Sequence, residues 1–253
     1  MKSTILAAAT VTLYLFANTA SAEALKLRVA TEGAYPPFNS IDANGKLVGF
    51  DVDIAKAVCE DMKAECSFSA VPWDEIINGL EKNDYDLVVA SMSYTDARAQ
   101  RMEFSSSYYR SHSAFAGDPN RFKDVSPAAL RGMRIAAGRQ TIQSEYLEKA
   151  YTESKIVLTK DEPEAQKLLQ AGEVDLVLAD SIDLLTFLQS PDNSRFDYVG
   201  DPVTNGFLKS SAHITAQKGN MELIKRVNEA LDHLRLNGTY DHINNTYFPF
   251  SIY

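Results

Sequence analysis

Two short segments of the sequence match each other position by position. Residues 86–91 read Asp-Leu-Val-Val-Ala-Ser, and residues 175–180 read Asp-Leu-Val-Leu-Ala-Asp. Each holds a β-rich apolar run without a polar face, which is typical of a strand buried on both faces of a parallel sheet. Asp180 occupies in the second segment the place that Ser91 has in the first. The repeat predicts two similar α/β lobes with polar groups at the ends of their strands.

The chain before residue 86 alternates strand and helix patterns. Residues 25–30 alternate apolar and polar side chains as a first strand. A helix follows, with Asp51 as its expected N-cap, and a second strand ends at Pro72. A second helix opens at Trp73 and leads into the segment 86–91. This order of strand, helix, strand, helix and strand predicts a parallel α/β lobe.

The second half of the chain repeats this plan. Residues 132–138 are similar to the first strand, and a helix stopped by Gly172 leads into the segment 175–180. Further on, Asn220 is the expected cap of a long amphipathic helix that ends at residues 237–238.

Two extended segments are expected to carry the chain between the lobes, near residues 107–112 and 201–210. The predicted fold is a two-lobed α/β fold, with a mainly parallel sheet flanked by helices in each lobe. Lobe 1 is predicted to comprise residues 23–110 and 211–253, and lobe 2 residues 111–210.

The N-terminus has the features of a cleaved signal peptide. Lys2 precedes an apolar run over residues 5–17 and the small residues Ala20-Ser21-Ala22. The run is too short and too weakly flanked for a membrane span of about 20 residues. No cysteine near the cut could carry a lipid. We expect cleavage after Ala22 and export of a soluble, unanchored chain to the periplasm.

The net charge excludes some classes of partner. Cleavage would remove Lys2 and no acidic residue, so the formal net charge would go from -9 to -10. This acidic balance argues against nucleic acid or an anionic membrane as partner.

Cys59 and Cys66 are the only two cysteines of the chain. In an exported chain, thiols tend to be oxidised. We predict one local disulfide between the end of a helix and the following strand, which would stabilise the fold by about 2 kcal/mol. Two separate buried thiols are the alternative. Neither a metal site nor a cofactor is expected, since this pair offers too few ligands.

Arg98 follows the first repeated segment closely, after the hydroxyls of Ser91 and Ser93. In an open α/β sheet, ligands bind beyond the carboxyl ends of the strands. An arginine there can hold a carboxylate through two parallel charge-assisted hydrogen bonds. We therefore predict that Arg98 binds the carboxylate of a small molecule. The alternative is a surface ion pair with Asp96 or Glu103.

Several short motifs, in this order, span nearly the whole chain. They are residues 34–38 (Ala-Tyr-Pro-Pro-Phe), 49–53 (Gly-Phe-Asp-Val-Asp), 73–74 (Trp-Asp), 91–93 (Ser-Met-Ser), 95–98 (Thr-Asp-Ala-Arg), 175–180, 237–240 (Asn-Gly-Thr-Tyr) and 247–248 (Tyr-Phe). With them the sequence resembles the periplasmic substrate-binding proteins of polar amino-acid ABC transporters, in particular the lysine/arginine/ornithine, histidine and opine binders. The resemblance implies a periplasmic-binding-protein fold, an inner-membrane permease as partner, and a monomer.

The resemblance also implies how the ligand backbone is held. The residue matching Arg98 binds the α-carboxylate, with help from donors that match Ser93 and Thr141. The carboxylate matching Asp180 holds the α-ammonium, together with groups around Ala90-Ser91.

The ligand side chain is implied to lie between aromatic rings that match Tyr35 and Trp73, with Gln143 near the wall. Glu32 matches an acidic position that the family uses for cationic side chains. An ion pair and cation–π attraction would suit an ammonium or a guanidinium there. The alternative places Glu32 at the rim of the cleft, in water. The Cys59–Cys66 pair also matches a disulfide of the basic amino-acid binders.

The sequence departs from the family at residues 139–142. Where relatives have Gly-Ser-Thr, this chain has Gln140-Thr141-Ile142 after Arg139, so the glycine that lets the backbone approach a carboxylate is missing. Arg139 either lies on the surface or meets a second carboxylate on a larger ligand. The second case would favour an opine over free lysine or arginine. His213 replaces a small residue, and its sequence position leaves open whether it faces the cleft.

The alternative function is an exported enzyme on the same fold, similar to cyclohexadienyl dehydratase. The four histidines form no recognisable nucleophile constellation, and no Gly-x-Ser-x-Gly, P-loop or His-Glu-x-x-His motif is present. A sensor ectodomain or adhesive module would need a membrane span or a further domain. We therefore expect a binding protein without catalytic activity.

Overall fold

The computed structural model describes residues 24–204 and 208–253, and the predicted signal peptide lies outside them. The described strands are β1 (Leu25–Thr31), β2 (Ala34–Tyr35), β3 (Asn39–Ile41), β4 (Leu47–Val48), β5 (Ala64–Ala70), β6 (Leu87–Ser93), β7 (Met102–Gly117), β8 (Arg134–Gly138), β9 (Lys155–Thr159), β10 (Leu176–Asp180), β11 (Asp197–Val203) and β12 (Lys209–Gln217). The described helices are α1 (Phe50–Asp61), α2 (Trp73–Glu81), α3 (Asp96–Ala99), α4 (Ile142–Ala150), α5 (Glu162–Ala171), α6 (Ser181–Leu188), α7 (Met221–Leu236) and α8 (Thr239–Tyr247), with a short 3-10 helix at Pro191–Asn193.

Two sheets of similar design meet on one long strand. In lobe 1 the order is β5-β1-β6-β12-β7, with β5, β1 and β6 parallel and β12 antiparallel to both neighbours. In lobe 2, β9, β8 and β10 are parallel, and β7 runs antiparallel to β10 and β11. Since β7 belongs to both sheets, it carries the chain between the lobes. The predicted two-lobed α/β fold is confirmed.

The return crossing leads from β11 to β12, and residues 205–207 within it lie outside the described residues. The predicted crossing near 107–112 falls inside β7. The exact lobe boundaries, 23–110 with 211–253 and 111–210, stay a prediction.

Each sheet buries apolar side chains on both faces. In lobe 1, Phe50 and Leu231 belong to the cluster on one face and Leu80 to the cluster on the other. In lobe 2, Phe115 and Leu169 belong to two separate clusters in the same way. Helices therefore cover both faces of the parallel strands, which explains why the strand sequences have no polar face.

The sequence repeat extends to side-chain contacts. Asp86 accepts hydrogen bonds from the backbone nitrogen and from Nε of Arg28, at 2.7 and 3.1 Å. Asp175 accepts the same two bonds from Arg134, both at 3.0 Å. In each lobe, an aspartate just before the central strand thus binds the neighbouring parallel strand at equivalent positions.

The prediction that Asp51 caps α1 is wrong. The N-cap is Gly49, whose φ of 125° is open to glycine and strained for other residues. Asp51 lies in the first helical turn and is fully buried. It accepts hydrogen bonds from Tyr108 Oη at 2.5 Å, Asn39 Nδ2 at 2.8 Å and Ser91 Oγ at 2.9 Å. A capping residue and an aspartate two positions later look alike in sequence, and only the buried hydroxyl and amide partners distinguish them.

Other helix ends follow the sequence prediction. The Asn220 side chain accepts a hydrogen bond from the backbone nitrogen of Leu223 at 3.3 Å, as an N-cap does. Gly172 ends α5 in the left-handed conformation.

The predicted disulfide is confirmed. Cys59 near the end of α1 is bonded to Cys66 in β5. The alternative of two separate thiols is thereby excluded.

None of the helices in residues 24–204 and 208–253 combines the length and the hydropathy that crossing a membrane requires.

Candidate ligand-binding site

A cavity between the two lobes lies beyond the carboxyl ends of the parallel strands. It contains about 560 Å³ of empty space, including the part that opens to solvent. The cavity brings together ten predicted residues, namely Glu32, Tyr35, Trp73, Ala90, Ser91, Ser93, Arg98, Thr141, Gln143 and Asp180. Arg139 is not among its lining residues.

The strand ends explain this convergence. Glu32 follows β1, Ser91 and Ser93 end β6, and Asp180 ends β10. In both lobes these parallel strands point their carboxyl ends towards the gap between the lobes. Residues distant in sequence therefore meet around one small volume.

Arg98 is a buried cation in the cavity wall, and its side chain is 9% exposed. Nη1 donates to the Ser93 carbonyl and Nη2 to the Gln140 carbonyl, both at 2.8 Å. The guanidinium carbon lies 5.3 Å from the centroid of the Trp73 ring. Glu103, a possible surface partner, forms an ion pair with Lys218 at 3.0 Å instead.

Burial lowers the pKa of Arg98 to about 10, so the guanidinium is still charged at neutral pH. Its two hydrogen bonds go to neutral carbonyl groups, which do not balance its charge. A buried cation in this position favours an anion that can enter the cavity.

Asp180 and Ser91 lie at equivalent strand ends on opposite sides of the cavity. Asp180 is buried, caps α6 by accepting from the backbone nitrogen of Ile182 at 2.9 Å, and accepts from Ser111 Oγ at 2.8 Å. Ser91 has a φ of 53°, in the left-handed region, and its hydroxyl is held by Asp51. The internal repeat thus places an acid of one lobe opposite a hydroxyl of the other.

The loop before α4 keeps a left-handed backbone conformation that is typical of glycine, although Gln140 stands at this position. Gln140 has a φ of 59°, a left-handed conformation that costs a non-glycine residue energy. Thr141 caps α4, and its hydroxyl donates to the Gly138 carbonyl at 2.7 Å. Gln143 donates to Ser113 Oγ at 3.0 Å. Ile142 and Gln143, in the first turn of α4, line the cavity, so the positive end of this helix faces it.

Arg139 forms an ion pair across the lobes, with Asp74 of α2 at 2.8 Å. Both side chains are partly exposed, at 45% and 29%.

His213 is the residue for which the sequence left open whether it faces the cleft. Its ring bonds the Ser105 carbonyl at 2.8 Å and Ser211 Oγ at 2.9 Å. Burial lowers the pKa of His213, and this residue does not line the cavity.

Replacing Arg139 with alanine is expected to weaken ligand binding by less than about fivefold. An exposed ion pair contributes about 0–1 kcal/mol, and here it can act only on the contact between the lobes. Isothermal titration calorimetry at low and high salt measures the effect, which should shrink as salt rises. A loss of more than about 30-fold would mean that Arg139 contacts the ligand directly.

Besides Asp180, three acidic residues line the cavity, namely Glu32, Asp161 and Glu162. Burial, followed by the charges of Asp161, Asp51 and Asp74, raises the pKa of Glu32 to about 7. Burial, followed by the charge of Glu32, raises the pKa of Glu162 to about 8. These acids therefore hold protons unusually tightly in the absence of a cation.

Glu162 and the two residues before it were not among the residues predicted from the sequence to bind a ligand. Residues 160–162 line the cavity because they follow β9 at its carboxyl end. The signal was present, since residues 155–159 read Lys-Ile-Val-Leu-Thr and a polar cluster follows at once. Tyr109, Gly138 and Ile142 also line the cavity without having been predicted. In the part of the chain that the structure describes, no three His, Cys, Asp or Glu side chains are grouped to hold a metal ion.

Two α/β lobes around a cavity with buried charges of both signs define a two-lobed binding protein for a small molecule. The chain belongs to the bacterial extracellular solute-binding proteins, family 3, whose profile matches residues 27–250. The L-arginine-binding protein of Pseudomonas aeruginosa is 32% identical to it over 231 residues, covering 90% of this chain and 89% of that protein. The lysine/arginine/ornithine-binding periplasmic protein of Escherichia coli is 30% identical over 236 residues, with coverages of 90% and 89%.

A solved structure has the same architecture. An ancestral arginine-binding protein bound to arginine superposes with a TM-score of 0.81 at 31% identity, covering 88% of this chain and 98% of that one. These relatives are binding proteins.

Proposed function

We propose that this chain is the solute-binding component of an ABC importer, which captures a basic α-amino acid between its lobes and delivers it to an inner-membrane permease. The observation that carries the proposal is the pairing of charges across the cavity. A buried arginine, Arg98, comes from lobe 1 and a buried acid, Asp180, from lobe 2. The two charges match the carboxylate and the ammonium of one zwitterion. The arginine- and lysine-binding relatives support the same ligand class.

The α-carboxylate would lie against Arg98. A guanidinium offers a planar fork of donors that fits a carboxylate, and Trp73 supports it from one side. The first turn of α4 adds the positive end of a helix on the opposite lobe. Ser93 and Thr141 stand beside this position. The Thr141 hydroxyl donates to the Gly138 carbonyl and the Thr141 backbone nitrogen donates to Ser144 Oγ at 3.1 Å, so Thr141 would shape this end of the site rather than donate to the ligand.

The α-ammonium would lie between Asp180 and the strand end at Ala90-Ser91. An ammonium needs acceptors, and a carboxylate with neighbouring carbonyl and hydroxyl oxygens supplies them. Ser91 is held in place by Asp51, so this half of the site is preorganised.

The ligand side chain would extend past Tyr35 and Trp73 towards Glu32. Four acidic residues and only two basic ones line the cavity, namely Glu32, Asp161, Glu162 and Asp180 against Arg98 and Lys160. This imbalance favours a cationic side chain and disfavours an opine with an additional carboxylate. The ion pair of Arg139 with Asp74 supports the same preference, because it engages the guanidinium that the additional carboxylate of an opine would need.

Binding would close the lobes. Because the two charged groups belong to different lobes, a zwitterion reaches both only in the closed state, and this differential affinity shifts the population towards closure. Several charge-assisted bonds of about 1.5–3 kcal/mol each, less the costs of desolvation and ordering, give micromolar or tighter affinity, about -8 kcal/mol or better. The closed surface would then be recognised by the permease.

Residues 1–22 would be removed after Ala22, and the mature chain would work in the periplasm as a monomer.

A thermal-shift screen of the purified protein against the L-amino acids and representative opines tests the ligand class. Arginine, lysine and ornithine are expected to raise Tm, and glutamate and opines are not. A larger shift with an acidic ligand would contradict the proposal.

Replacing Glu32 with glutamine is expected to weaken L-arginine binding by about 10–30-fold, because one charge-assisted contact is lost. Binding of neutral L-glutamine should change by less than about threefold. Calorimetry on the variant and on Glu60→Gln, an exposed glutamate in the same lobe, measures both. An equal loss for both ligands would contradict the assigned role of Glu32.

We further propose that the chain does not catalyse a reaction on its ligand. The alternative predicted from the sequence, an enzyme similar to cyclohexadienyl dehydratase, is tested by incubation with arogenate and prephenate. No product is expected, and turnover of either compound would establish the enzyme.

A further inference from the structure

Glu162 is a buried acid whose surroundings leave it without a counter-charge. It lies in the first turn of α5, is 7% exposed and lines the cavity between the lobes. Its Oε2 has no hydrogen-bond partner among the residues that the structure describes. Its other oxygen lies over Gly138, where a Cβ would approach Oε1 to 2.8 Å. A buried carboxylate oxygen without a partner costs free energy unless something else binds it.

The charged groups around Glu162 are mostly negative. Glu32, Asp180 and Asp161 all raise its pKa through their charges. Lys160 lies 3.8 Å from Asp161, but its side chain is 64% exposed. Arg98 is bonded to the Ser93 and Gln140 carbonyls and is not among the charges that shift the pKa of Glu162. Among the described residues, no cation therefore balances the charge of Glu162. The side of its carboxylate that lacks a hydrogen-bond partner faces the cavity.

Glu162 and Glu32 come from different lobes. Glu32 follows β1 in lobe 1, whereas Glu162 begins α5 in lobe 2. Both line the same cavity. With no cation between them, the two acids can be charged at the same time only at the cost of mutual repulsion, which raises the affinity of Glu162 for a proton. With a cation between them, both attract it.

We propose that Glu162 is a second binding residue for the ligand's side-chain cation, which it holds together with Glu32, one carboxylate from each lobe. The inference rests on the proposed function and adds to it a specificity residue. A guanidinium has five donors in one plane, so it can serve two carboxylates at once. The side-chain cation then contributes to closure directly. A neutral side chain of the same shape leaves the repulsion in place.

Calorimetry with L-arginine and L-citrulline on Glu162→Gln tests the proposal. Citrulline has nearly the shape of arginine without its charge. The variant should bind arginine at least about 10-fold more weakly, while citrulline binding stays within threefold or becomes tighter because the repulsion is removed. Glu148→Gln, which removes an exposed glutamate of the same lobe, should leave both affinities unchanged.

Three results would overturn the proposal. Arginine affinity within threefold of the native value would mean that Glu162 does not bind the cation, although the proposed function would still stand. Equal losses for arginine and citrulline would assign Glu162 a structural role only. If native protein bound neither compound, the proposed ligand class would fail together with the inference. Should Glu162→Gln fail to fold, Glu162→Asp keeps the charge and shortens the reach, and it should weaken arginine more than citrulline.

Discussion

The variant Arg98→Ala is expected to bind basic and neutral amino acids at least about 100-fold more weakly than the native protein. The loss should be the same for both classes, because every α-amino acid presents the same carboxylate. Two charge-assisted hydrogen bonds of about 1.5–3 kcal/mol each account for this magnitude. Calorimetry with L-arginine and L-glutamine measures it.

The control for Arg98→Ala is Arg139→Ala, which removes an arginine from the opposite lobe without touching the cavity. Both variants should stay folded, as judged by Tm without ligand. Loss of binding only for basic ligands would contradict the proposed role of Arg98, since it would place the guanidinium near the side chain. Unchanged affinity would refute the carboxylate contact altogether.

The second large effect concerns the stability of the ligand-free protein between pH 5 and pH 8. The pKa of Glu32 is about 7 and that of Glu162 about 8, both above the usual carboxyl value of about 4.3. As pH rises, the unfolded chain therefore loses these protons first, while the folded state retains them. The stabilisation is fully present below about pH 4.3 and is lost as pH rises through 7 and 8.

Calorimetric unfolding should show this loss as a fall in Tm of about 5 °C or more. One pKa unit corresponds to ~1.4 kcal/mol, and about 2 kcal/mol or more shifts a protein of this size by several degrees. Saturating L-arginine should reduce the fall, because a bound cation replaces the protons.

Comparison with Glu162→Gln isolates the contribution of one carboxylate. The variant should exceed the native protein only slightly at pH 5, where folded Glu162 is neutral, and by clearly more at pH 8. His213 has a lowered pKa and acts in the opposite direction, and the raised pKa of Asp183 acts in the same direction. His213 is common to the two proteins and cancels in the comparison, whereas the charge of Glu162 is one cause of the raised pKa of Asp183, so the variant also reduces that contribution and adds to the difference at pH 8. Asp175, with a pKa of about 2, affects stability only at lower pH. An equal difference at both pH values would contradict the prediction.

The two lobes and much of the cavity wall could be predicted from the order of residues along the chain. The repeat at residues 86–91 and 175–180 predicted the central strand of each sheet, because a doubly covered parallel strand must be apolar on both faces. The rule that ligands bind beyond the carboxyl ends of such strands then led to Ser91, Arg98 and Asp180. The structure places these three residues in the cavity wall, because their positions depend on local pattern and on the direction of the chain.

The partners of particular acidic and basic side chains, in contrast, become visible only in the folded chain. Asp51 fits a helix cap in sequence, yet the folded chain buries it among Tyr108, Asn39 and Ser91. Arg139 fitted either a surface position or a ligand contact, and the structure pairs it with Asp74 of the other lobe. Glu162 remained unnoticed because its strand was not predicted. The partner of a charged side chain is set by segments that are distant along the chain, and local pattern carries no information about which of them it meets.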